Sequence, residues 1–296
     1  MPQAIRKIIE MLQNTTGVRY NITQAKTVLQ KGGEFEAFVN DLRKGKKMKI
    51  STVSNLQVED LERIPKRWIN DELISYFLSF KNNEFAARHV YTITSLEFCS
   101  LLALLCPNKN LPDDVEERIN NPDVVRRMQK QNLPWSNLNS MKRLLVPIHI
   151  DKNWITSVAD FERAIISIYD SYDPPLGTDN KFFQIFKIWI AAGIKFQLEK
   201  NAVISSSFVT NMDEWTLESN PSHGFQDNTN DCGVFAIGHM LLLSYPQTVD
   251  LQSIGTYLAP SVVPILRAEL FALIRDNAVE SRLERKGMEA PWRCMR

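Results

Sequence analysis

The apolar positions follow a helical pattern in the first part of the chain and then alternate in short runs. Ile69, Leu73 and Phe77 recur at helical spacing within INDELISYFLSFKNN, which predicts a helix. The apolar segment SLEFCSLLALL predicts a second helix, with Ser95 as its N-cap. Three β-branched runs separated by turn residues then predict three successive strands: RLLVPIHI, NWITSVAD and AIISIYDS.

The pattern returns to helices after these strands. NKFFQIFKIWIAAGIKFQLEK, CGVFAIGHMLLLSY and roughly residues 260–287 each predict helical structure. Helices, a compact group of strands and helices again predict an α+β domain. We place this domain at 51–290, after a polar, helix-rich extension over residues 1–50. The extension ends in the basic run RKGKKMK, which is typical of a solvated face or a linker.

Composition and charge narrow the function classes. The chain has 296 residues, 44% of them hydrophobic and 23% charged, with a formal net charge of +1, as in ordinary globular proteins. This small net charge gives no reason to expect nucleic acid as the main ligand. No apolar run reaches the length of roughly 18 residues that a membrane span needs, and the first residues lack a secretory pattern. We therefore expect a monomer that binds neither nucleic acid nor membrane.

The four cysteines point to a single residue of interest. They form no CxxC pair and lie near no histidine cluster, so we expect no zinc and no other cofactor: Cys99, Cys106, Cys232 and Cys294. Cys99 and Cys106 belong to an apolar run and are interpreted as small buried residues. The pattern suits a reducing compartment, and Cys232 is the thiol to consider for chemistry.

Cys232 lies where the polar segment FQDNTND meets an apolar helix. A helix N-terminus favours a thiolate over a thiol, and its free N–H groups stabilise an oxyanion. Gln226, six positions earlier, could supply a further amide donor if the loop curls back. The alternative is a buried structural cysteine whose helix is capped by Asp231.

A cysteine nucleophile needs a base, and the base needs an orienting group. Asp170 ends an apolar strand, where its carboxylate could reach an imidazole on the neighbouring strand. Position 153, just before Trp154, would lie across from Asp170, but the residue there is Asn153.

Four ordered motifs resemble those of the ubiquitin-like-protein-specific (SUMO/sentrin-specific) cysteine proteases. They are RWINDELISYFL, VYTITSLEFCSLL, RLLVPIHIDKNWITSVADFERAIISIYDS and FQDNTNDCGVFAI, and the resemblance covers about 55–285. It implies a papain-like core, shared with adenovirus proteinase, with a small mixed or antiparallel sheet flanked by helices. It also implies cleavage after the Gly-Gly end of a ubiquitin-like protein, SUMO first and NEDD8 or ubiquitin as alternatives, in the nucleus or cytoplasm.

The resemblance assigns roles to individual positions. It makes Cys232 the nucleophile, Asp170 the acid of the triad and Gln226 part of the oxyanion hole. Trp68 and Trp154 would enclose the diglycine tail, because two indole faces form a slot in which any Cβ would clash. We group Asp231, next to the nucleophile, with these substrate-binding residues.

Asn153 departs from the family pattern, which has histidine there. An amide cannot take up the thiol proton, so catalysis should be lost while the shape of the site is kept. Among the four histidines, His149 should lie on the order of 13 Å from position 153 at about 3.3 Å per residue, and we interpret it as an ordinary strand residue. His239 should pack within its helix, and His89 has no evident tie to the site. His223 is the one substitute base that we consider.

Two explanations of Asn153 remain. The intact remainder of the motifs favours an engineered or recent replacement of histidine by asparagine. The alternative is a natural pseudoprotease that acts as a binding module for a ubiquitin-like protein or another partner. A third hypothesis, acyl transfer as in some related folds, has little use for the paired tryptophans.

Overall fold

The computed structural model describes most of the chain, with several gaps. The described ranges are 18–44, 56–105, 140–150, 152–172, 186–191, 211–219, 225–245 and 258–285, with a few single positions between them. The ranges hold a mixed sheet and the helices around it. This architecture confirms the α+β fold with a small mixed sheet.

The sheet has five strands in the spatial order β1-β2-β3-β4-β5. They are β1 (Val90–Thr92), β2 (Arg143–Ile150), β3 (Asn153–Asp160), β4 (Ile165–Asp170) and β5 (Thr216–Ser219). The three central strands pair antiparallel, and the two outer strands pair parallel to their neighbours. β2, β3 and β4 confirm the predicted strands. β1 and β5 were not predicted, because three or four residues are too few to show an alternating pattern.

Helices precede β1, lie between β1 and β2, and follow β5. They are α1 (Ile22–Leu29), α2 (Glu34–Lys44), α3 (Val58–Leu61), α4 (Asp71–Ala86), α5 (Ser95–Leu105), α6 (Cys232–Leu243) and α7 (Val263–Arg285). Residues 186–191 are helical too, whereas most of the predicted helix around them lies outside the described residues. The prediction that Ser95 is the N-cap of α5 was wrong by one residue. The cap is Thr94, whose hydroxyl accepts from the Glu97 N–H at 3.2 Å while the Glu97 carboxylate accepts from the Thr94 N–H at 2.7 Å.

The sheet separates two apolar clusters. Alternation along β3 turns Trp154 and Val158 toward the cluster that contains α6, and Ile155 and Ala159 toward the opposite cluster. All eight residues of β3 are buried. This central strand therefore begins with Asn153 already inside the protein, beside the N-terminus of α6.

The N-terminal helices pack on α7. Phe35 and Phe38 of α2 meet the Phe271 ring edge-on, with centroids 5.3 and 5.5 Å away. An ion pair joins Glu34 to Arg275, at the same interface. Residues 18–44 thus contact the body of the domain directly, although the boundary at residue 50 stays a prediction. Within the described part of the chain, no helix is both long and apolar enough to cross a membrane.

Candidate functional site

Cys232 is the first residue of α6 and is fully buried, with 0% of its surface exposed. The residue after it must be small. A Cβ on Gly233 would lie 2.8 Å from the Ile69 Cβ and 3.3 Å from the Trp154 Cδ1, closer than side chains approach. The Cys-Gly dipeptide therefore lets the helix N-terminus approach Trp154 and the segment before α4.

Three N–H groups surround the Cys232 sulfur. The Trp68 indole donates to Sγ at 3.0 Å, and the backbone N–H groups of Trp154 and Gly233 also favour the thiolate. Burial acts in the opposite direction and is the larger effect, so the pKa of the Cys232 thiol is raised, with a further contribution from the Asp170 carboxylate. The shift is therefore opposite to the one expected from the helix N-terminus alone, since burial favours the protonated thiol.

Asn153 occupies the base position that the sequence predicted. Its Nδ2 donates to Asp170 Oδ1 at 2.8 Å, and the Tyr172 N–H donates to the same oxygen at 3.0 Å. Asn153 and Asp170 are each 0% exposed. The amide oxygen of Asn153, Oδ1, is also buried, but it has no hydrogen-bond partner in the described structure.

His149 lies at this site, contrary to the sequence interpretation. β2 and β3 form a tight hairpin in which His149 pairs with Trp154 and Ile150 with Asn153. The strand turns back, so the distance along the chain overstated the separation: paired antiparallel residues lie about 5 Å apart between Cα atoms. The His149 ring is 4.9 Å from both the Trp68 and the Trp154 rings. Burial lowers the pKa of His149, with Asp71 opposing the shift, which favours a neutral imidazole.

The two predicted tryptophans are neighbours with different exposure. Their ring centroids lie 6.5 Å apart, at an interplanar angle of 37°. Trp154 is 1% exposed, and its indole donates to the Ile69 carbonyl oxygen at 2.9 Å, whereas Trp68 is half-buried. The Trp68 indole thus lies directly against the buried thiol.

Gln226 is held beside the strand that ends at Asp170. Its backbone N–H donates to the Ser171 carbonyl at 2.9 Å, and its Oε1 accepts from the Ser171 hydroxyl at 2.8 Å. The amide Nε2 donates to the carbonyl of Asn228. The loop does curl back toward the sheet, but an oxyanion-binding role for this amide stays a prediction.

Asp231 does not cap α6 with its side chain, although it occupies the N-cap position. Its carboxylate pairs with Arg267 at 2.5 Å and accepts from the Asn228 side chain at 2.7 Å. The helix-capping alternative is therefore wrong, and a substrate-binding role is untested. Sequence reasoning missed Arg267, although a lone arginine within the apolar run SVVPILRAELF was a usable signal.

The remaining candidates add no chemistry to this centre. His239 is 1% exposed and packs with its ring centroid 5.2 Å from that of Tyr169. The proposed substitute His223, together with Cys106 and Cys294, lies outside the described residues. Among the residues that the structure does describe, no group of three or more metal-binding side chains is present.

The arrangement holds a buried thiol, an orienting carboxylate and N–H donors at one end of the central hairpin. It has the parts needed to bind a carbonyl next to a thiol. The residue hydrogen-bonded to Asp170 is Asn153, whose amide does not titrate, at the position where the sequence analysis expected a base.

Comparison with protein families and solved structures accounts for this geometry. The model of the Ulp1 protease family, C-terminal catalytic domain, matches residues 67–280, a range that contains every site residue discussed above.

Three solved structures share the fold. SUMO protease Ulp1 with its catalytic cysteine oxidised to a sulfonic acid has a TM-score of 0.51 at 17% identity, over 85% of this chain and 99% of that chain. The Chaetomium thermophilum Ulp1-like SUMO protease catalytic domain has a TM-score of 0.52 at 19% identity, over 82% and 88%. The C-terminal Ulp1 protease domain in complex with Smt3, the yeast ortholog of SUMO, has a TM-score of 0.51 at 17% identity, over 82% and 96%.

Proposed function

Because the chain belongs to the Ulp1 protease family, we propose that it binds a ubiquitin-like protein ending in Gly-Gly through a cysteine protease site that Asn153 has silenced. SUMO is the first candidate for this modifier, since the solved relatives are named as SUMO proteases. NEDD8 and ubiquitin are the alternatives. We further propose that the protein is a monomer of the nucleus or cytoplasm, where its thiols stay reduced.

A single observation carries the proposal. The Asn153 amide donates to Asp170 at 2.8 Å, so the side chain at position 153 makes the contact that orients a base. An amide nitrogen cannot accept the thiol proton, and burial raises the pKa of Cys232. Both features favour a thiol that keeps its proton.

In the active form of this site the steps follow from the geometry. A histidine at position 153 takes the proton from Cys232, and Sγ attacks the carbonyl carbon of the terminal glycine. The N–H groups at the start of α6, with Gln226, hold the oxyanion. The protonated imidazole then gives its proton to the leaving amine, and water hydrolyses the thioester to release a free Gly-Gly carboxylate.

The two tryptophans would form the passage for the substrate. The Trp68 indole donates to the thiol and its ring lies against His149, whereas Trp154 is anchored by its bond to Ile69. A Gly-Gly segment would pass between Trp68 and Trp154, where only hydrogen side chains fit. His149 would then line the same passage, as the hairpin partner of Trp154.

Restoration of the base tests the proposal. Asn153→His should raise the cleavage of a fluorogenic C-terminal amide of SUMO by about 10²–10⁴-fold, the usual contribution of general acid–base catalysis. Asn153→Gln keeps an amide at this position and should gain nothing, and the Asn153→His/Cys232→Ser double variant should be inactive. NEDD8 and ubiquitin amides, assayed in parallel, identify the preferred modifier.

Binding separates the two forms of the proposal. The unaltered chain should bind intact SUMO more tightly than SUMO without its last two glycines. Binding without a gain of activity in Asn153→His would support the natural pseudoprotease, and the encoding gene shows whether the asparagine is native. Absence of both binding and activity with all three modifiers would overturn the proposal.

A further inference from the structure

Arg267 links three parts of the molecule that meet at the thiol. It projects from α7, and its side chain is 3% exposed. Its Nε and Nη2 donate to Asp231 Oδ1 at 3.2 and 2.5 Å. The guanidinium also donates to four backbone carbonyl oxygens, those of Arg63, Ile64, Arg67 and Asn230 at 3.2, 2.6, 3.0 and 3.4 Å.

These contacts use the whole guanidinium. Arginine has five N–H donors and no acceptor, and the bonds above engage all three nitrogens. No donor is left over for a ligand. The function of Arg267 must therefore lie in the segments that it holds rather than in a molecule that it binds.

The two segments that Arg267 contacts, residues 63–67 and 230–231, each end one residue before a side chain of the site. Arg67 precedes Trp68, and Asp231 precedes Cys232. The Trp68 indole and the Cys232 sulfur are themselves joined by the hydrogen bond of 3.0 Å. One guanidinium therefore fixes the backbone on both sides of this N–H···S contact, across 164 residues of sequence.

We propose that Arg267 is a positioning residue that sets the hydrogen bond between the Trp68 indole and the Cys232 sulfur. It does so by holding residues 63–67 against residues 230–231. The flat, five-donor fork can satisfy carbonyls in several directions at once, whereas a lysine ammonium cannot reproduce that geometry. The assignment rests on Cys232 being the reactive group of the proposed function.

A second buried arginine supplies a matched control. Arg143 is 4% exposed, pairs with Asp160 at 3.1 Å and donates to the Leu243 carbonyl at 3.1 Å. It has the same chemistry and similar burial, but its partners are the far end of β3 and the C-terminus of α6. Loss of this ion pair should weaken the fold and leave the thiol end of α6 unchanged.

The experiment follows the Trp68 indole N–H resonance in protein labelled with ¹⁵N-tryptophan, assigned through Trp68→Phe. Cys232→Ser gives the shift caused by loss of the sulfur acceptor. Arg267→Lys should move the Trp68 resonance substantially, and Arg143→Lys should leave it in place while lowering thermal stability.

The results that would overturn the assignment are distinct from those that test the function. If Arg267→Lys lowers stability as Arg143→Lys does but leaves the Trp68 resonance unmoved, Arg267 only supports the fold. If both variants move the resonance equally, the contact responds to general loosening and not to Arg267. Neither readout needs a modifier, so a failure of modifier binding leaves this test intact.

Discussion

The two sides of the site differ in how completely their buried polar groups are hydrogen-bonded. The helix side comprises Asp231 and Arg267, and the strand side comprises Asn153 and Asp170. On the helix side, the buried Arg267 engages every nitrogen of its guanidinium, and Asp231 is paired in turn. On the strand side, Asn153 makes one hydrogen bond to Asp170, while its Oδ1 is buried with no partner in the described structure. A buried acceptor without a partner costs about 1–3 kcal/mol.

This difference indicates that position 153 is less suited to its present residue than the helix side is to Arg267. An imidazole at position 153 would donate one N–H to Asp170 and offer its second nitrogen to the thiol. An amide makes the first contact and leaves an oxygen unsatisfied where the second would be. Among the hydrogen bonds described for Asn153, Asp231 and Arg267, the unsatisfied atom is thus the Asn153 oxygen, as the proposed loss of a histidine at this position would predict.

The largest effect should come from the strand side. In the Asn153→His background, Asp170→Asn should remove most of the roughly 10²–10⁴-fold gain in SUMO amide hydrolysis, because the imidazole loses the carboxylate that fixes its tautomer and stabilises its charge. In the unaltered chain the same Asp170→Asn change should leave the basal rate unchanged, since there is no imidazole to orient. Equal losses in both backgrounds would show that Asp170 acts through something other than a base at 153.

A smaller effect should come from filling the close approach on the helix side. Gly233→Ala places a methyl group 2.8 Å from the Ile69 Cβ and 3.1 Å from the Ile69 backbone oxygen, so part of the backbone must move. Overpacking of this kind costs about 1–3 kcal/mol in the free energy of unfolding, measured by urea titration. It should also displace Trp154, whose indole bonds to the same oxygen.

Gly238→Ala in the same helix is the matched control. Its added methyl group would meet Leu258 and Leu266 side-chain methyl groups, which can rotate away, and alanine favours a helix by roughly 0.5–1 kcal/mol. Gly238→Ala should therefore destabilise the protein less than Gly233→Ala. The reverse order would show that the α6 N-terminus tolerates movement and is not the rigid side.

Local pattern made much of this architecture predictable. Three central strands, α4, α6 and the positions of Cys232, Asp170 and Asn153 follow from alternation, helical spacing and ordered motifs in the sequence. The contact between Asn153 and Asp170 was also foreseen, because both lie at the ends of adjacent strands. β1 and β5 were missed because their pairing depends on distant partners rather than on their own three or four residues.

What sequence could not supply was distance through space. His149 was separated from the site by counting residues along an extended strand, whereas the antiparallel pairing of β2 with β3 places it opposite Trp154. Arg267 lies 35 residues after Cys232 in the chain, and the packing of α7 brings it to Asp231, the residue before Cys232. The state of the thiol was misjudged for a related reason, since burial depends on tertiary packing and outweighs the helix N-terminus.

The smallest expected effect concerns this thiol and gives the helix side a pH signature. Burial raises the pKa of Cys232 in the folded protein, so between the unfolded and folded pKa values the folded state holds more protons. Stability from this group is complete below the ordinary thiol pKa of about 8.5 and falls as pH rises beyond it. Cys232→Ser removes the effect, so the stability of the unaltered chain relative to Cys232→Ser should fall as the pH rises from about 7.5 to about 9.5.

Urea titrations of both proteins across this range measure that difference. Buried tyrosines such as Tyr76 also have a raised pKa, and they contribute with the same sign at higher pH, but they are common to both proteins and cancel. Parallel stability curves would mean that the folded and unfolded thiols ionise alike. If the stability of the unaltered chain relative to Cys232→Ser instead rose with pH, the N–H groups of Trp68, Trp154 and Gly233 would outweigh burial. The helix side alone would then already stabilise a thiolate.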